Sequence, residues 1–275
     1  MADNLLVETR DLIVEFGQRR AFLGRPPQPL RVLKGINVGI GRGEIVGIVG
    51  ESGSGKTTLG RALLGLQPAT GGEVLFQGKP LKEFPGGEMA LRRQMQMIFQ
   101  DPMSSLNPRQ TIGTILSKPI LLHGIAPDKR TALSRIAEVL ERVGLPEVVL
   151  GRYPHELSGG QRQRVGIARA VMLKPSFVLA DEIVSGQDVS TQARVLQLLR
   201  ELCAEIGLSM AFISHDLSVI RALCNRVYVL NGGVVVEEGE CEKVFANPQH
   251  AYTRALIDAI PLPVVSQDWL QSSAA

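Results

Sequence analysis

The segment Gly50–Thr57 has the residue types and spacing of a phosphate-binding loop. It reads GESGSGKT and fits the pattern GxxxxGK[ST]. Glycines let successive backbone N–H groups turn toward a bound anion, and a helix that starts at the loop adds its positive end. In such a loop we expect Lys56 to reach the β- and γ-phosphates, Thr57 to ligate Mg²⁺ and Thr58 to contact the α-phosphate. The predicted phosphate-binding residues are Gly50, Ser52, Gly53, Ser54, Gly55, Lys56, Thr57 and Thr58. The alternative is a chance glycine-rich turn.

A second candidate site lies at the end of the apolar run FVLADE, Phe177–Glu182. Strand tips are where an α/β sheet presents ligands. Asp181 is expected to hold Mg²⁺, through water, and Glu182 to act as the general base that polarises an attacking water. An exposed acidic turn is the alternative, and the phosphate loop elsewhere in the chain favours the catalytic interpretation.

A third segment, LSGGQ at Leu157–Gln161, precedes a predicted helix with Val165, Ala168 and Met172 on one face. Ser158 and the amides of Gly159 and Gly160 could simply cap that helix. They could also form a second anion site, which would serve the ATP of a partner subunit if it lies far from the chain's own phosphate loop.

The elements that position these residues alternate between strand and helix. The run Glu44–Val49 suits a strand buried on both faces, and Thr57–Leu66 has the spacing of a helix with one buried face. The other predicted strands and helices of this alternation are Phe177–Ala180, Met210–Ile213, Gln161–Met172, Val189–Ile206 and Leu217–Cys224. This alternation predicts a parallel sheet covered by helices.

The remaining segments are of other kinds. Further strands are predicted at Leu5–Phe16, Val32–Ile40 and Gly72–Leu81, a hairpin at Arg226–Glu237, a surface loop at Gly17–Arg31, and a helical insert at Pro102–Leu157 that includes a helix at Asp128–Val143. The last forty or so residues follow no clear period.

The composition excludes several classes of function. The net charge of the 275 residues is +3 and aromatics make up 4%, which disfavours a nucleic-acid partner. Cys203, Cys224 and Cys241 form no CxxC pair, so we expect buried or free thiols in a reducing compartment. There is no secretory signal and no apolar run of membrane-spanning length, so we expect a cytoplasmic chain that reaches a membrane only through partners.

Taken in order, the motifs resemble a known family. GESGSGKT is followed by Gln100 in IFQDP, then LSGGQ, FVLADE, Asp188, and His215 in SHD. This order resembles the nucleotide-binding subunit of ATP-binding cassette (ABC) transporters over nearly the whole chain. The resemblance implies an α/β fold, namely a P-loop NTPase (RecA-like) parallel-sheet core with an antiparallel β subdomain and an inserted helical subdomain. It implies an ABC ATPase domain at 1–250, with the helical subdomain at about 102–157, and a C-terminal importer-type tail at 251–275.

The resemblance also assigns roles. Gln100 would contact Mg²⁺ and the attacking water, and His215 would contact the γ-phosphate and hold Glu182. Asp188 would lie in the loop that crosses to a partner subunit. Phe16 would stack on adenine, with Phe22 as the alternative. The residues implied to contact the nucleotide of the partner are Ser158, Gly159, Gly160 and Gln161.

Two further stretches resemble the oligopeptide, dipeptide and nickel importer branch, QDPMSSLNPRQTI and Val244–Pro261. The implied function is the ATP-binding and ATP-hydrolysing subunit of a bacterial importer, peripheral to the cytoplasmic face of the inner membrane, with ATP and Mg²⁺ as cofactors. The implied partners are a second ATPase subunit, favoured to be a paralogue in a heterodimer, two membrane permease subunits and a periplasmic or lipid-anchored solute-binding protein. The solute stays open between peptide, nickel or a chelate, and an opine-like molecule.

The sequence departs from the family pattern at three places. Ile183 stands where proline is common, Ser185-Gly186-Gln187-Asp188 replaces Ser-Ala-Leu-Asp, and His250-Ala251-Tyr252-Thr253 replaces His-Pro-Tyr-Thr. The first two put the coupling between two ATP sites in doubt, and they leave open a non-catalytic regulator that binds nucleotide. An ABC ATPase acting on DNA or ribosomes is the other rival, disfavoured because the chain has no long coiled-coil or zinc insert and no second cassette.

Overall fold

The computed structural model describes residues 5–17 and 29–259. The strands are β1 (Leu5–Phe16), β2 (Leu30–Ile36), β3 (Gly39–Gly41), β4 (Ile45–Val49), β5 (Gly71–Phe76), β6 (Lys79–Pro80), β7 (Met95–Ile98), β8 (Phe177–Asp181), β9 (Ser209–Ile213), β10 (Arg226–Asn231) and β11 (Val234–Glu240). The helices are α1 (Lys56–Leu63), α2 (Gly87–Gln94), α3 (Pro102–Ser105), α4 (Ile112–Leu122), α5 (Lys129–Arg142), α6 (Gly159–Val171), α7 (Val189–Ile206), α8 (Leu217–Leu223), α9 (Cys241–Ala246) and α10 (Ala251–Asp258).

The larger sheet has the strand order β11-β10-β4-β9-β8-β7. All neighbouring pairs from β10 to β7 are parallel, and β11 pairs antiparallel with β10. Every residue of β4, β8 and β9 is buried, as expected for strands covered on both faces. The carboxyl ends of β4, β7, β8 and β9 therefore meet at one edge, where α/β sheets bind ligands.

The smaller sheet is antiparallel, with the order β2-β1-β5-β6 and β3 paired to β1. Helix α1 lies between the two sheets, and its Leu59 and Leu63 belong to one apolar cluster with Phe76 and Ile48. A Cβ at Gly60 would lie 2.8 Å from Leu179 Cδ2, so glycine lets α1 approach the larger sheet closely. The helix that follows the phosphate loop is thus held on both sides.

Helices α3 to α5 and two short 3₁₀ turns lie between β7 and β8 in the chain. Asp128 caps α5 by accepting a hydrogen bond from Thr131 N at 2.8 Å. Buried apolar side chains of α4 and α5 share one cluster with Val165 of α6, namely Ile112, Leu116, Ile136 and Leu140. No helix in the described ranges combines the length and apolar character needed to cross a bilayer.

The predicted strand Val32–Ile40 is two strands, because side chains interrupt the ladder. Thr9 Oγ1 donates to Ile36 O at 2.8 Å and accepts from Val38 N at 2.9 Å. Asn37 Oδ1 accepts from the backbone N–H of Asp11 at 2.8 Å. These bonds satisfy the backbone where β2 ends and β3 has not begun.

The predicted end of the first helix was also wrong. Gly65 has φ +65° and ends the turn, so Leu66 is exposed instead of packing inward. Helices α2, α9 and α10 and strand β7 were not predicted. The three cysteines are free and buried, as expected, and burial raises the pKa of Cys203 to about 12 and that of Cys241 to about 11.

Candidate active site

The phosphate loop leaves the buried strand β4 and enters α1. Gly50 has φ +147°, and a Cβ there would lie 2.1 Å from Leu230 O, so only glycine fits beside β10. Gly53 and Gly55 have φ of +80° and +105°. Within the described chain, no side chain caps the first amides of α1, which leaves them free to bind an anion.

Lys56 lies buried within the loop. Its ammonium donates to Gly50 O and Glu51 O, both at 2.8 Å, and a third proton remains for a ligand. Burial lowers the pKa of Lys56, while the nearby Glu182 and Asp181 oppose this shift. Ser54 Oγ is buried and has no hydrogen-bond partner among the described residues. The loop thus brings together the unpaired Ser54 hydroxyl, the free amides at the start of α1 and the Lys56 ammonium. These hydrogen-bond donors fit a polyphosphate.

Asp181 ends strand β8 next to the loop. Thr57 Oγ1 donates to Asp181 Oδ1 at 3.4 Å. Burial raises the pKa of Asp181 above its ordinary value of 3.8, and the bond from Thr57 opposes this shift. A hydroxyl and a carboxylate beside a phosphate cradle are oxygen ligands of the kind that Mg²⁺ takes. The donor set therefore fits this ion.

The side chains of Gln100, Glu182 and His215 meet, each from the end of a different strand. Gln100 Nε2 donates to Glu182 Oε2 at 3.1 Å, and His215 Nδ1 lies 3.6 Å from Glu182 Oε1. Glu182 has φ +48°, and its N–H donates to Ile213 O at 3.0 Å. A non-glycine residue in this backbone region costs about 1–3 kcal/mol, which the surrounding fold must offset. The structure thus brings together the residues that the sequence places in three separate motifs.

The turn after Glu182 is closed by its own hydrogen bonds. Ser185 N donates to Glu182 O at 3.2 Å, and Gln187 Nε2 donates to Ile183 O at 3.1 Å. Asp188 then caps α7 by accepting from Thr191 N at 2.9 Å. The residues that depart from the family pattern therefore form an ordered turn, in which Gln187 bonds to the carbonyl of Ile183.

The other predicted residues lie apart from this cluster. Ser158 accepts from Gln161 N at 3.3 Å and Gln161 Oε1 accepts from Ser158 N at 2.9 Å, so both cap α6. Phe16 ends β1 opposite Leu30 and is 41% exposed. Among the described residues, no hydrogen bond or ion pair joins these residues to the phosphate loop. The alternative adenine-stacking residue, Phe22, lies outside the described residues.

Sequence reasoning missed one contact of the loop. The N–H of Glu51 donates to the hydroxyl of Tyr252 in α10 at 2.9 Å. The sequence marks Tyr252 only as part of a tail segment, and two residues 201 positions apart give no local signal for a contact.

Two family models match the chain. The model described as "ABC transporter" matches residues 33–185. The chain belongs to the ABC transporter family. The model described as "Oligopeptide/dipeptide transporter, C-terminal region" matches residues 236–274 of this ABC ATPase.

Similar proteins agree with this assignment. A putative peptide import ATP-binding protein of Brucella ovis is 48% identical over 264 residues, which cover 96% of this chain and 81% of that protein. The oligopeptide transport ATP-binding protein AmiF of Streptococcus pneumoniae is 45% identical over 261 residues, covering 94% of this chain and 82% of that protein.

Solved structures give the same fold. A subunit of the cbiONQ ABC transporter complex of Clostridium perfringens has a TM-score of 0.75 at 28% identity, covering 89% of this chain and 92% of that chain. A dimeric ATP-binding cassette bound to ADP and Pi after hydrolysis has a TM-score of 0.73 at 28% identity, covering 86% and 98%. The predicted fold class, family and ATPase activity are confirmed, and this ABC ATPase binds ATP.

Proposed function

We propose that this ABC ATPase powers the import of peptides, nickel or a related small solute through membrane subunits. The match of residues 236–274 to the oligopeptide/dipeptide C-terminal model supports the importer branch. Relatives named for peptide import and oligopeptide transport favour peptides among these solutes. The same names weigh against a subunit that acts on DNA or ribosomes.

The observation that carries the catalytic part of this proposal is the meeting of Gln100, Glu182 and His215 beside the phosphate loop. Glu182 is the general base for the attacking water, and Gln100 and His215 hold its carboxylate from two sides. This arrangement disfavours a purely regulatory role, since a subunit that only binds nucleotide has no need of an oriented carboxylate.

The loop residues hold the triphosphate. Lys56 donates a hydrogen bond with its remaining ammonium proton to the β- and γ-phosphates. The backbone amides from Ser52 to Thr57 and the Ser54 hydroxyl donate further hydrogen bonds, and Thr58 donates to the α-phosphate. Phe16, exposed at the end of β1, stacks on the adenine ring. Thr57, Asp181 and the amide oxygen of Gln100 would hold Mg²⁺, which when bound neutralises phosphate charge.

A second ATPase subunit completes the site. Ser158, Gly159, Gly160 and Gln161 of one subunit face the ATP held by the loop of the other, and Asp188 lies in the crossing segment. Two such contacts about a two-fold or pseudo-two-fold axis close the pair, and hydrolysis reopens it. The second subunit is a paralogue, and the pair lies on the cytoplasmic face of the inner membrane. The ABC ATPase domain spans residues 1–250 and contains the helical subdomain at 102–157, which passes this motion to two permease subunits. A solute-binding protein delivers the solute to these permease subunits. Residues 251–275 form the importer-type tail.

Two substitutions test the catalytic assignment. Glu182→Gln keeps the size of the side chain and one oxygen acceptor but removes the base, so ATP hydrolysis should fall at least ~100-fold while ATP affinity is retained. Lys56→Ala should weaken ATP binding. Phosphate release is measured on the complex with the second ATPase subunit, and binding of a fluorescent ATP analogue on the purified full chain.

Glu83→Gln is the control, because Glu83 is exposed and belongs to none of these motifs. It should hydrolyse ATP like the wild type. Normal turnover in Glu182→Gln, or an unchanged ATP dissociation constant in Lys56→Ala, would refute the assignment.

A further inference from the structure

Tyr252 joins the C-terminal part of the chain to the phosphate loop. Its hydroxyl accepts a hydrogen bond from the N–H of Glu51 at 2.9 Å. Tyr252 lies on α10, within the region that matches the oligopeptide/dipeptide C-terminal model. The contact therefore joins the region that matches the oligopeptide/dipeptide transporter model to the phosphate loop.

The peptide group held by Tyr252 is also the one that anchors Lys56. The N–H of Glu51 and the carbonyl of Gly50 belong to a single peptide group, which is planar and, like every peptide of the described chain, trans. Gly50 O accepts from Lys56 Nζ at 2.8 Å. Tyr252 and Lys56 thus hold opposite ends of one peptide group. Accepting the N–H also polarises that group and makes its carbonyl a better acceptor.

Without such a hold this peptide group could rotate easily. Gly50 has φ +147°, in a backbone region that only glycine populates readily. Because glycine has no Cβ, it restricts rotation of the adjoining peptide group less than any other residue does. Rotation would turn the Gly50 carbonyl away from Lys56, whose ammonium would keep only its second anchor at Glu51 O. The third ammonium proton would then have no fixed direction.

Helix α10 is itself fixed to the larger sheet through Glu237 of β11. Glu237 accepts from the N–H groups of Gln249 at 2.7 Å and His250 at 3.0 Å. Burial alone would raise the pKa of Glu237, but the neighbouring Thr253 hydroxyl and the bonds from the two amides lower it overall. His250 Nδ1 accepts from the N–H of Tyr252 at 3.1 Å and caps the helix. Tyr252 is therefore held by a support that does not depend on the loop.

We propose that Tyr252 is a positioning residue for ATP binding, which holds the Gly50–Glu51 peptide group and through it the ammonium of Lys56. The inference rests on the proposed role of Lys56. On this proposal, the C-terminal segment that carries α10 supports the nucleotide site.

Tyr252→Phe in the full chain is the direct test, since it removes the hydroxyl and keeps the ring. We expect the dissociation constant for a fluorescent ATP analogue and the KM for ATP to rise about 3- to 10-fold, with kcat within about 2-fold of wild type. In a Lys56→Ala background, Tyr252→Phe should add less than about 1.5-fold, because its effect passes through Lys56.

Tyr228→Phe is the matched control. The Tyr228 hydroxyl accepts from the N–H of Gly39 at 2.9 Å and donates to Gly39 O at 3.1 Å, and neither bond involves the phosphate loop. It should lose at least as much thermal stability as Tyr252→Phe and leave the affinity for ATP unchanged.

The outcomes separate the two proposals. An unchanged affinity in Tyr252→Phe, or an equal loss in Tyr228→Phe, overturns the role of Tyr252 while a weakened Lys56→Ala keeps the loop assignment. An unchanged affinity in Lys56→Ala overturns the loop assignment itself, and the role of Tyr252 with it.

Discussion

Asp181 is buried at the end of β8, and this burial raises the pKa of its carboxyl group above 3.8. The folded chain therefore holds this proton more tightly than the unfolded chain does. Well below pH 3.8 the carboxyl is neutral in both states and carries no penalty. As pH rises from 3.8 to the raised pKa, the carboxyl ionises in the unfolded chain while the buried carboxyl stays protonated, so the fold loses stability, and above that pKa the penalty is constant.

Asp181→Asn removes this charge and keeps an oxygen acceptor for Thr57. In EDTA and without nucleotide, we expect its Tm to exceed that of the wild type by about 1–4 °C at pH 7.5, and the gap to shrink toward pH 4. ATP hydrolysis should fall by at least ~100-fold, because the Mg²⁺ site loses its charge. Differential scanning fluorimetry across pH checks this. A variant less stable than the wild type at pH 7.5 would contradict it.

At the level of elements, local patterns predict some features and miss others. Strand β4, the phosphate loop and α1 follow one another in the chain, so their spacing predicted the order strand, loop, helix. Strand β7 has only four residues, MQMI, too few to show a period of two or of 3.6. Helix α10 is eight residues long and interrupts a tail without a clear pattern.

The distance along the chain decides which site contacts could be predicted. Thr57 and Asp181 follow two strands of the predicted sheet, so the sequence placed both at its ligand-binding edge. Gln100 contacts Glu182 across 82 positions, and the family motifs, which assigned Gln100 to Mg²⁺ and the attacking water, did not predict this bond. The bond from Glu51 to Tyr252 follows from the docking of α10, which tertiary packing determines.

Arg169 ties helix α6 to the segment that carries Gln100. Its guanidinium carbon lies 5.6 Å from the centre of the Phe99 ring, and Nη1 donates to Ser105 O of α3. Burial lowers the pKa of Arg169, so these contacts are what offset the burial of its charge. Because α6 begins at the Ser158 cap, Arg169 connects two parts of the proposed nucleotide machinery.

Arg169→Met keeps the apolar stem and removes the cation–π contact and the donor. We expect the free energy of unfolding to fall by about 1–3 kcal/mol and ATP hydrolysis to decrease. Arg164→Met on the same helix is the control, since half-buried Arg164 donates one solvent-exposed bond to Gly144 O at 3.1 Å. It should change the free energy of unfolding by less than about 0.5 kcal/mol. Equal losses in urea denaturation would show that Arg169 makes no special connection.

For the whole molecule, the separation of the two anion-binding segments has a consequence. The phosphate loop lies at the carboxyl edge of the larger sheet, whereas Ser158–Gln161 begins α6 and makes no described bond to that loop. The structure shows the first alternative raised by the sequence, because Ser158 and Gln161 cap α6. The second, that the helix-start amides of this segment serve the ATP of a partner, stays a proposal. The proposed pair of subunits uses these amides only when ATP closes it.

Gly160→Asp tests this use of the segment without disturbing the isolated chain. A Cβ at Gly160 meets no atom within 4 Å, and an acid in the first turn of a helix is favourable, so the Tm without ATP should stay within about 2 °C of wild type. In the closed pair the new carboxylate would face the γ-phosphate held by the partner, and like charges repel. In the Glu182→Gln background, alone or mixed with the paralogous subunit, ATP-dependent pairing measured by light scattering should be lost. Gly151→Asp adds the same charge at another open position and should pair normally, so loss of pairing in both variants, or in neither, would argue against the proposed contact.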